Sequence, residues 1–413
     1  MNTYDFPGKG KVAVLRTKPA SVLEDYARLL DLIDYQSSIQ SIYPTLLKIN
    51  ISWQTWYPAC STTPWQLEGV IQKLFADGYS DLIAAHNKTV VVDAYIGEKN
   101  NKHKLITDRY KITNTHLYEP EVSWNVYKPQ GEYLVLHKIY PDGVKIPDLF
   151  HGKNIIQFPT VKTHVFTTIT GAMKNAFGGL LSERRHWTHS VIHETLVDLL
   201  MIQREIHPGI LAVMDGTFAG DGPGPRAMRW HEKDVILASS DQVAIDAISA
   251  KLQGFNPMEL KFIRLAHEKG LGIGDPKDIE IVGDEDVMLE NWHFIQTDTF
   301  ASKGQKAIYH GPLKPFEKML LQSPIVPWSY FASNFYHNVA WYPAVGKKRV
   351  ESAAKTKWGQ LFSRYGEEEG QGGIVYSEIP KKELAIGLLI GTAGLATLGL
   401  AAHSFLKKTR KKN

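Results

Sequence analysis

The sequence predicts an α/β fold: a mainly parallel or mixed sheet with flanking helices, then an aromatic-rich helical extension and one transmembrane helix. Three observations carry this. Short apolar runs alternate with helix-period segments through residues 12–282, the pattern of strand–helix–strand units. Aromatic residues crowd the region between Trp292 and Trp358. The stretch Leu384–Leu406 carries no Asp, Glu, Lys or Arg.

Val12–Leu15 is the first strand. Val22, Tyr26, Leu29, Leu30 and Ile33 then recur at helical spacing, so 22–33 is an amphipathic helix. Leu46–Ile51 is the second strand. Pro64 opens the next helix, with Leu67, Val70, Ile71, Leu74 and Phe75 on one face and Gly78 as its stop, because Pro suits a first turn and Gly ends one. Asp81–Ala85 is the third strand. Tyr133–His137 and Val144–Ile146 flank Pro141-Asp142-Gly143, a hairpin signal. Ile155–Phe158 is a strand, and 166–181 and 193–206 are helices. Ile210–Met214 is a strand that runs into a glycine-rich loop. Val235–Ala238 is a strand, Gln242–Leu252 a helix stopped by Gly254, and Ile279–Val282 the last strand.

The organisation follows: an α/β domain over 1–290, an aromatic helical extension over 291–365, and a linker over 366–383. A transmembrane helix over 384–406 and a basic tail over 407–413 complete it. The extension, with Phe316, Trp328, Tyr330, Phe331, Phe335, Tyr336, Trp341 and Tyr342, either packs on the main core or meets a membrane interface, where Trp and Tyr are favoured. Leu384–Leu406 meets the requirement of about 20 apolar residues for one helical crossing; a buried core helix is the alternative. Gly387 and Gly391 would permit a homodimer through close helix pairing. The expected placement is a single-pass C-terminal membrane anchor. Lys407, Lys408, Arg410, Lys411 and Lys412 would by the charge rule put the tail in the cytoplasm. The N-terminus has no signal-peptide pattern, which favours a cytoplasmic body instead.

The 413-residue chain is 43% hydrophobic and 22% charged, with net charge +4, so a sizeable core is expected. Outside the basic tail its cations are spread out, which argues against nucleic acid as a partner. Its one cysteine, Cys60, excludes an intrachain disulfide and an iron–sulfur cluster. Cys60 is read as a packing residue, with a nucleophile as the alternative. No metal-ligand spacing stands out, and no cofactor is expected.

Four stretches could carry chemistry. In the first, Lys162 and His164 stand two apart, so on an extended segment they point the same way. Gly171, Lys174, Asn175, Gly178 and Gly179 follow, then Arg184, Arg185, His186 and His189, giving donors suited to a carboxylate or phosphate and several imidazoles able to move protons near neutral pH. A solvated helix start is the alternative. In the second, Asp215 ends an apolar strand, where open α/β sheets place ligands, and Gly216, Gly220, Asp221, Gly222, Gly224 and Arg226 follow. A plain turn cluster would read the same way. In the third, Ser239, Ser240 or Asp241 can cap the helix that begins near Gln242, and Asp246 inside that helix is a site candidate. In the fourth, Lys48, Asn50 and Ser61-Thr62-Thr63 precede the Pro64 helix; hydroxyls and N–H groups there form an anion site or simply cap.

Lys48-Ile49-Asn50, PTVKTH with GAMKNAFGG, LVDLL, VMDG followed by GDGPG, SSDQVAIDAISAKLQG and LGIGDPKDIEIVG together resemble the domain of unknown function family 362, from about Val12 to Val282. Many members of that family carry cysteine-rich ferredoxin-type segments, from which this chain departs. The resemblance implies a shared site at Lys162, His164, Lys174, Asn175, Asp215 and Asp246, without catalytic assignments.

Two functions are compatible with these residues. One is an enzyme acting on an anionic small molecule by acid/base chemistry, with Lys162, His164, Lys174 and Asp215 in catalysis. Lys48, Asn50, Asn175, Arg185, Asp221 and Asp246 would then bind. The other is a non-catalytic accessory protein that the membrane lipid bilayer holds in place.

Overall fold

The computed structural model describes residues 4–87, 92–311, 314–317 and 334–376. A 10-stranded sheet organises the chain. Its strands are β1 (Lys11–Arg16), β2 (Thr45–Ile49), β3 (Leu82–His86), β4 (Thr113–His116), β7 (Asn154–Phe158), β8 (Thr160–His164), β9 (Thr168–Ile169), β10 (Ile210–Asp221), β11 (Arg229–Ser239) and β12 (Glu280–Gly283). The order is β12-β1-β11-β10-β7-β2-β3-β4, with β8 branching from β10 and β9 from β8. All pairings along the main path are parallel except the two that β11 makes. The sheet is therefore mainly parallel, with one reversed strand in its interior.

Parallel strands bury both faces, and their residues divide between two cores by alternation. In β1, Val12 and Val14 join one core while Ala13 and Leu15 join the other. In β10, Ala212 and Met214 face the first core, Leu211 and Val213 the second. Helices α1 (Val22–Leu32) and α2 (Pro64–Ala76) cover the second core; α3 (Gly171–Leu180), α4 (Ile192–Ile206) and α5 (Gln242–Gln253) cover the first. Thr63 closes a capping box with Gln66 at the start of α2, and Gly254 adopts the left-handed conformation that ends α5.

The aromatic extension packs on the second core. A π-helical stretch, Phe335–Gly346, sets Trp341 and Tyr342 against Trp53, with ring centroids 6.1 and 5.4 Å apart. Helix α6 (Lys357–Arg364) lays Trp358 on Trp65 at 5.2 Å and Phe362 on Trp56 at 4.3 Å. Trp328, Tyr330, Phe331 and the Leu384–Leu406 segment lie outside the described residues. Among the described residues, no helix is long and apolar enough to cross a membrane.

Three sequence expectations are corrected. The partner of Val144–Pro147 (β6) is Trp124–Tyr127 (β5), in a separate two-stranded sheet, and Leu136–Ile139 is a helical turn. The Pro-Asp-Gly signal was sound, but the segment before it coils. The helix expected from 166 begins only at Gly171, because Thr168 and Gly171 take φ of +68° and +73°, which breaks a helical run. Third, the glycine-rich stretch after Met214 is strand as far as Asp221. Its glycines serve close packing: a Cβ on Gly216 would stand 2.8 Å from the Val235 carbonyl oxygen, and one on Gly220 2.7 Å from Met228 Sδ.

Candidate functional site

Strand ends and one helix collect the cations. Lys48, near the carboxyl end of β2, is 4% exposed, and its Nζ donates to the Ile49 carbonyl at 2.7 Å. The α3 glycines make room for it, since a Cβ on Gly179 would stand 3.0 Å from Lys48 Cε. Asn175, on the same helix, donates Nδ2 to the Lys48 carbonyl at 2.9 Å and to Gln157 Oε1 at 2.8 Å. Lys162 on β8 is 1% exposed, and its Nζ donates to the Cys60 carbonyl at 2.9 Å and Thr160 Oγ1 at 2.7 Å. Lys174 on α3 is half-buried, with Nζ 4.6 Å above the Phe177 ring. Arg185 is buried and reaches the Leu181 carbonyl at 3.4 Å.

Among the described residues, no carboxylate stands within ion-pair distance of Lys48, Lys162, Lys174 or Arg226. Withdrawal from water without a counter-charge disfavours an ammonium. Burial, reinforced by Arg185, brings Lys48 down from 10.5 to about 7. Burial, then Arg185 and Lys162, brings Lys174 to about 7 although its side chain is partly open to solvent. Burial brings Lys162 to about 8, with Cys60 opposing.

His164 is buried, and burial followed by Lys174, His189, Lys162 and Lys306 keeps it neutral well below its ordinary value. Its Nδ1 accepts the Phe166 N–H at 3.2 Å, which assigns the proton to Nε2. Asn50 accepts the Ser52 hydroxyl at 2.9 Å on Oδ1, while its buried Nδ2 has no partner among the described residues.

The predicted carboxylates do not join these cations. Asp215 is fully buried; its Oδ2 accepts Tyr26 Oη at 2.7 Å, Thr63 Oγ1 at 2.9 Å and Trp65 Nε1 at 2.9 Å, and its Oδ1 accepts Thr217 Oγ1 at 2.7 Å and the Thr217 N–H at 3.0 Å. A carboxylate so occupied ties α1 and α2 to the sheet and has no lone pair left for a proton-transfer role. Asp246 accepts the Ala172 and Met173 N–H groups at 2.5 and 3.0 Å. It holds the start of α3, and burial pushes it up to about 8. Asp221 accepts Arg229 Nε and His231 Nε2, both at 3.0 Å; these neighbours outweigh burial and hold it at about 2. The hydroxyls before α2 are also taken: Thr62 donates to the Phe158 carbonyl, Thr63 to Asp215, and Ser61 accepts the Ser52 N–H. Asp241 caps α5 at the Val243 and Ala244 N–H groups.

Cys60 is fully buried, and burial pushes its thiol up to about 11. It stays protonated at neutral pH and packs, so the nucleophile alternative falls away.

Two histidines escaped the sequence reading. His86 is the last residue of β3, one position past the expected strand end. It is 1% exposed, and neither ring nitrogen has a hydrogen-bond partner among the described residues, though Nε2 stands 3.5 Å from Glu98 Oε2. His103 meets the Thr62 carbonyl through Nε2 at 2.7 Å and leaves Nδ1 unpartnered among the described residues. In the β2–β3 register Lys48 pairs with Ala85, so His86 lies one position further along, level with the end of β2. Nothing in the local sequence marks His103.

Lys48, Lys162 and Lys174 thus gather positive charge with no carboxylate in ion-pair distance among the described residues, and Arg185, the Asn50 amide and the His164 imidazole are further donors of the same group. Such a group can hold an anion, and lysines that ionise near neutrality can exchange protons with it. Among the described residues, no group of three His, Cys, Asp or Glu side chains could hold a metal ion.

The chain is similar to a thylakoid-associated protein of Synechocystis sp., 23% identical over 182 residues. That match takes in 41% of this chain and 54% of the relative, so it spans about half the relative's length. No solved structure matches. The family model described as a domain of unknown function, DUF362, matches residues 45–251, half of the chain; it takes in β2, β8, α3 and β10, and the chain belongs to that family.

Proposed function

We propose that this protein binds a small, multiply charged anion at the cationic group around Lys48, Lys162 and Lys174, and acts on it by proton transfer. One observation carries the reading: two buried lysines, Lys48 and Lys162, and the half-buried Lys174 have no carboxylate in ion-pair distance among the described residues. A buried charge without a partner destabilises a fold unless something else uses it. Arg185 and the free amide of Asn50 would orient the anion, while Asn175, whose two N–H groups are taken by the Lys48 carbonyl and Gln157, would hold Lys48 in place. Lys48 or Lys174, each lowered to about 7, would be the acid or base, and His164 would donate from Nε2. Asp215 has no place in this scheme, because its oxygens are occupied.

Calorimetric titration of the full chain with pyrophosphate, phosphate and citrate tests this. Binding is expected at pH 6.5 and lost as pH rises past 8, where the ammonium groups lose their protons. Lys48→Met and Lys174→Met should abolish it. If none of the three anions binds, or the variants bind as the parent does, the reading fails.

The reading includes a membrane setting. The apolar stretch Leu384–Leu406 and the thylakoid association of the similar protein support a single-pass anchor, with the bilayer as partner and Gly387 and Gly391 as a pairing face for a second copy. Deleting 374–413 should release the chain from membranes in a flotation assay; retention would count against an anchor in this segment.

A further inference from the structure

We infer that the anion carries a planar aromatic ring, as a nucleotide does, and that this ring seats in a cleft beside the cationic group; the inference rests on the reading above. The cleft has a volume of about 530 Å³ and lies between the β5–β6 sheet and the end of α3. Leu117, Trp124, Tyr140, Leu181 and Trp187 line it. Tyr140 and Trp187 both line it with their rings nearly parallel, centroids 6.3 Å apart and planes 19° apart. Trp124 is half-buried and anchored by its Nε1 on the Leu117 carbonyl at 2.7 Å. A concave, aromatic lining with a few polar groups is what a flat ring requires.

The cleft and the cations share a hinge point. The Leu181 carbonyl accepts both Asn87 Nδ2 at 3.0 Å and Arg185 at 3.4 Å. Leu181 and Asn87 line the cleft, and Asn87 directly follows His86. Helix α3 carries Lys174 and delivers Leu181 to the cleft, a rise of about 10 Å for seven residues. That is the span of a nucleotide from its phosphate to the far edge of its base. Glu119, Asp142 and Lys145 on the rim supply acceptors and a donor for ring nitrogens. Carboxylates there disfavour a second phosphate, so the cleft takes the ring and the lysines take the charge.

The experiment compares AMP with ribose 5-phosphate, which differ only in the base, and includes pyrophosphate. Calorimetry on the full chain gives affinities, and tryptophan emission reports the cleft. AMP should bind about tenfold or more tightly than ribose 5-phosphate, the gain from stacking one base on aromatic side chains. Trp187→Ala, or Trp124→Leu as a second change, should remove that gain and leave ribose 5-phosphate affinity in place. Equal affinity for the two ligands, or a gain that survives both substitutions, overturns the inference. Pyrophosphate binding without any gain for AMP sinks only the aromatic cleft. Failure of all three ligands sinks the anion site as well.

Discussion

Replacing Lys48 by Met should make the protein more stable, and by an amount that depends on pH in a defined way. Lys48 is buried, and its ammonium ionises near 7 rather than at 10.5. Keeping it protonated in the fold therefore costs about 5 kcal/mol. Below pH 7 both folded and unfolded chains hold that proton, and the folded state bears the whole penalty. Between pH 7 and 10.5 the unfolded chain holds a proton that the folded chain has released. Parent stability then rises relative to the variant by about 1.4 kcal/mol per pH unit. Near pH 10.5 the difference vanishes, apart from a packing change of about 1 kcal/mol. Chemical denaturation at pH 6, 8 and 10 measures this, and other titrating groups cancel in the difference. Lys48→Met should be several kcal/mol more stable at pH 6 and nearly level at pH 10. Saturating pyrophosphate at pH 6.5 should close the gap by raising the parent alone. Parallel stability curves across this range would refute the premise that Lys48 is an unpaired buried ammonium.

Asp246→Ala should cost about 2–4 kcal/mol, because the Ala172 and Met173 N–H groups lose their acceptor. It should also weaken pyrophosphate binding, since α3 carries Lys174; a binding isotherm beside a melting curve separates the two effects. Asp215→Ala should be among the most damaging single changes, at about 3 kcal/mol or more, because Tyr26, Thr63, Trp65 and Thr217 all donate to that carboxylate; urea midpoints read this directly. Cys60, buried with its thiol at about 11, should resist a thiol-specific reagent at pH 8 until the chain is unfolded; fast labelling of the native protein would contradict this.

The alternating sheet was legible in the sequence because apolar runs such as Val12–Leu15 and Ile155–Phe158 need both faces covered. Cap chemistry was legible at Thr63, Asp241 and Gly254, where side-chain type fixes the helix end. The β5–β6 pair was missed because Trp124–Tyr127 alternates weakly and only its tertiary partner reveals it. The strand through Gly216 and Gly220 was hidden because glycine signals a turn and a tight contact alike. The lysines of the candidate site were legible as residue types on short motifs. The role of Asp215 was not, since its strand-end position gives no sign of which donors surround the carboxylate. His86 was lost to a boundary drawn one residue short, and that one step separates a loop imidazole from one at the sheet's edge.

The recognised family segment, residues 45–251, is not a natural place to cut the chain. It leaves out β1, which lies between β11 and β12 in the sheet, and α1, which brings Tyr26 to Asp215. It leaves out Trp358 and Phe362, which roof Trp65 and Trp56. A fragment trimmed to those limits would present a raw β11 edge and bare indoles to solvent, an invitation to self-association. Fragment libraries and domain swaps in this family therefore need to carry both flanks along, or the excised piece will report on its own exposed seams.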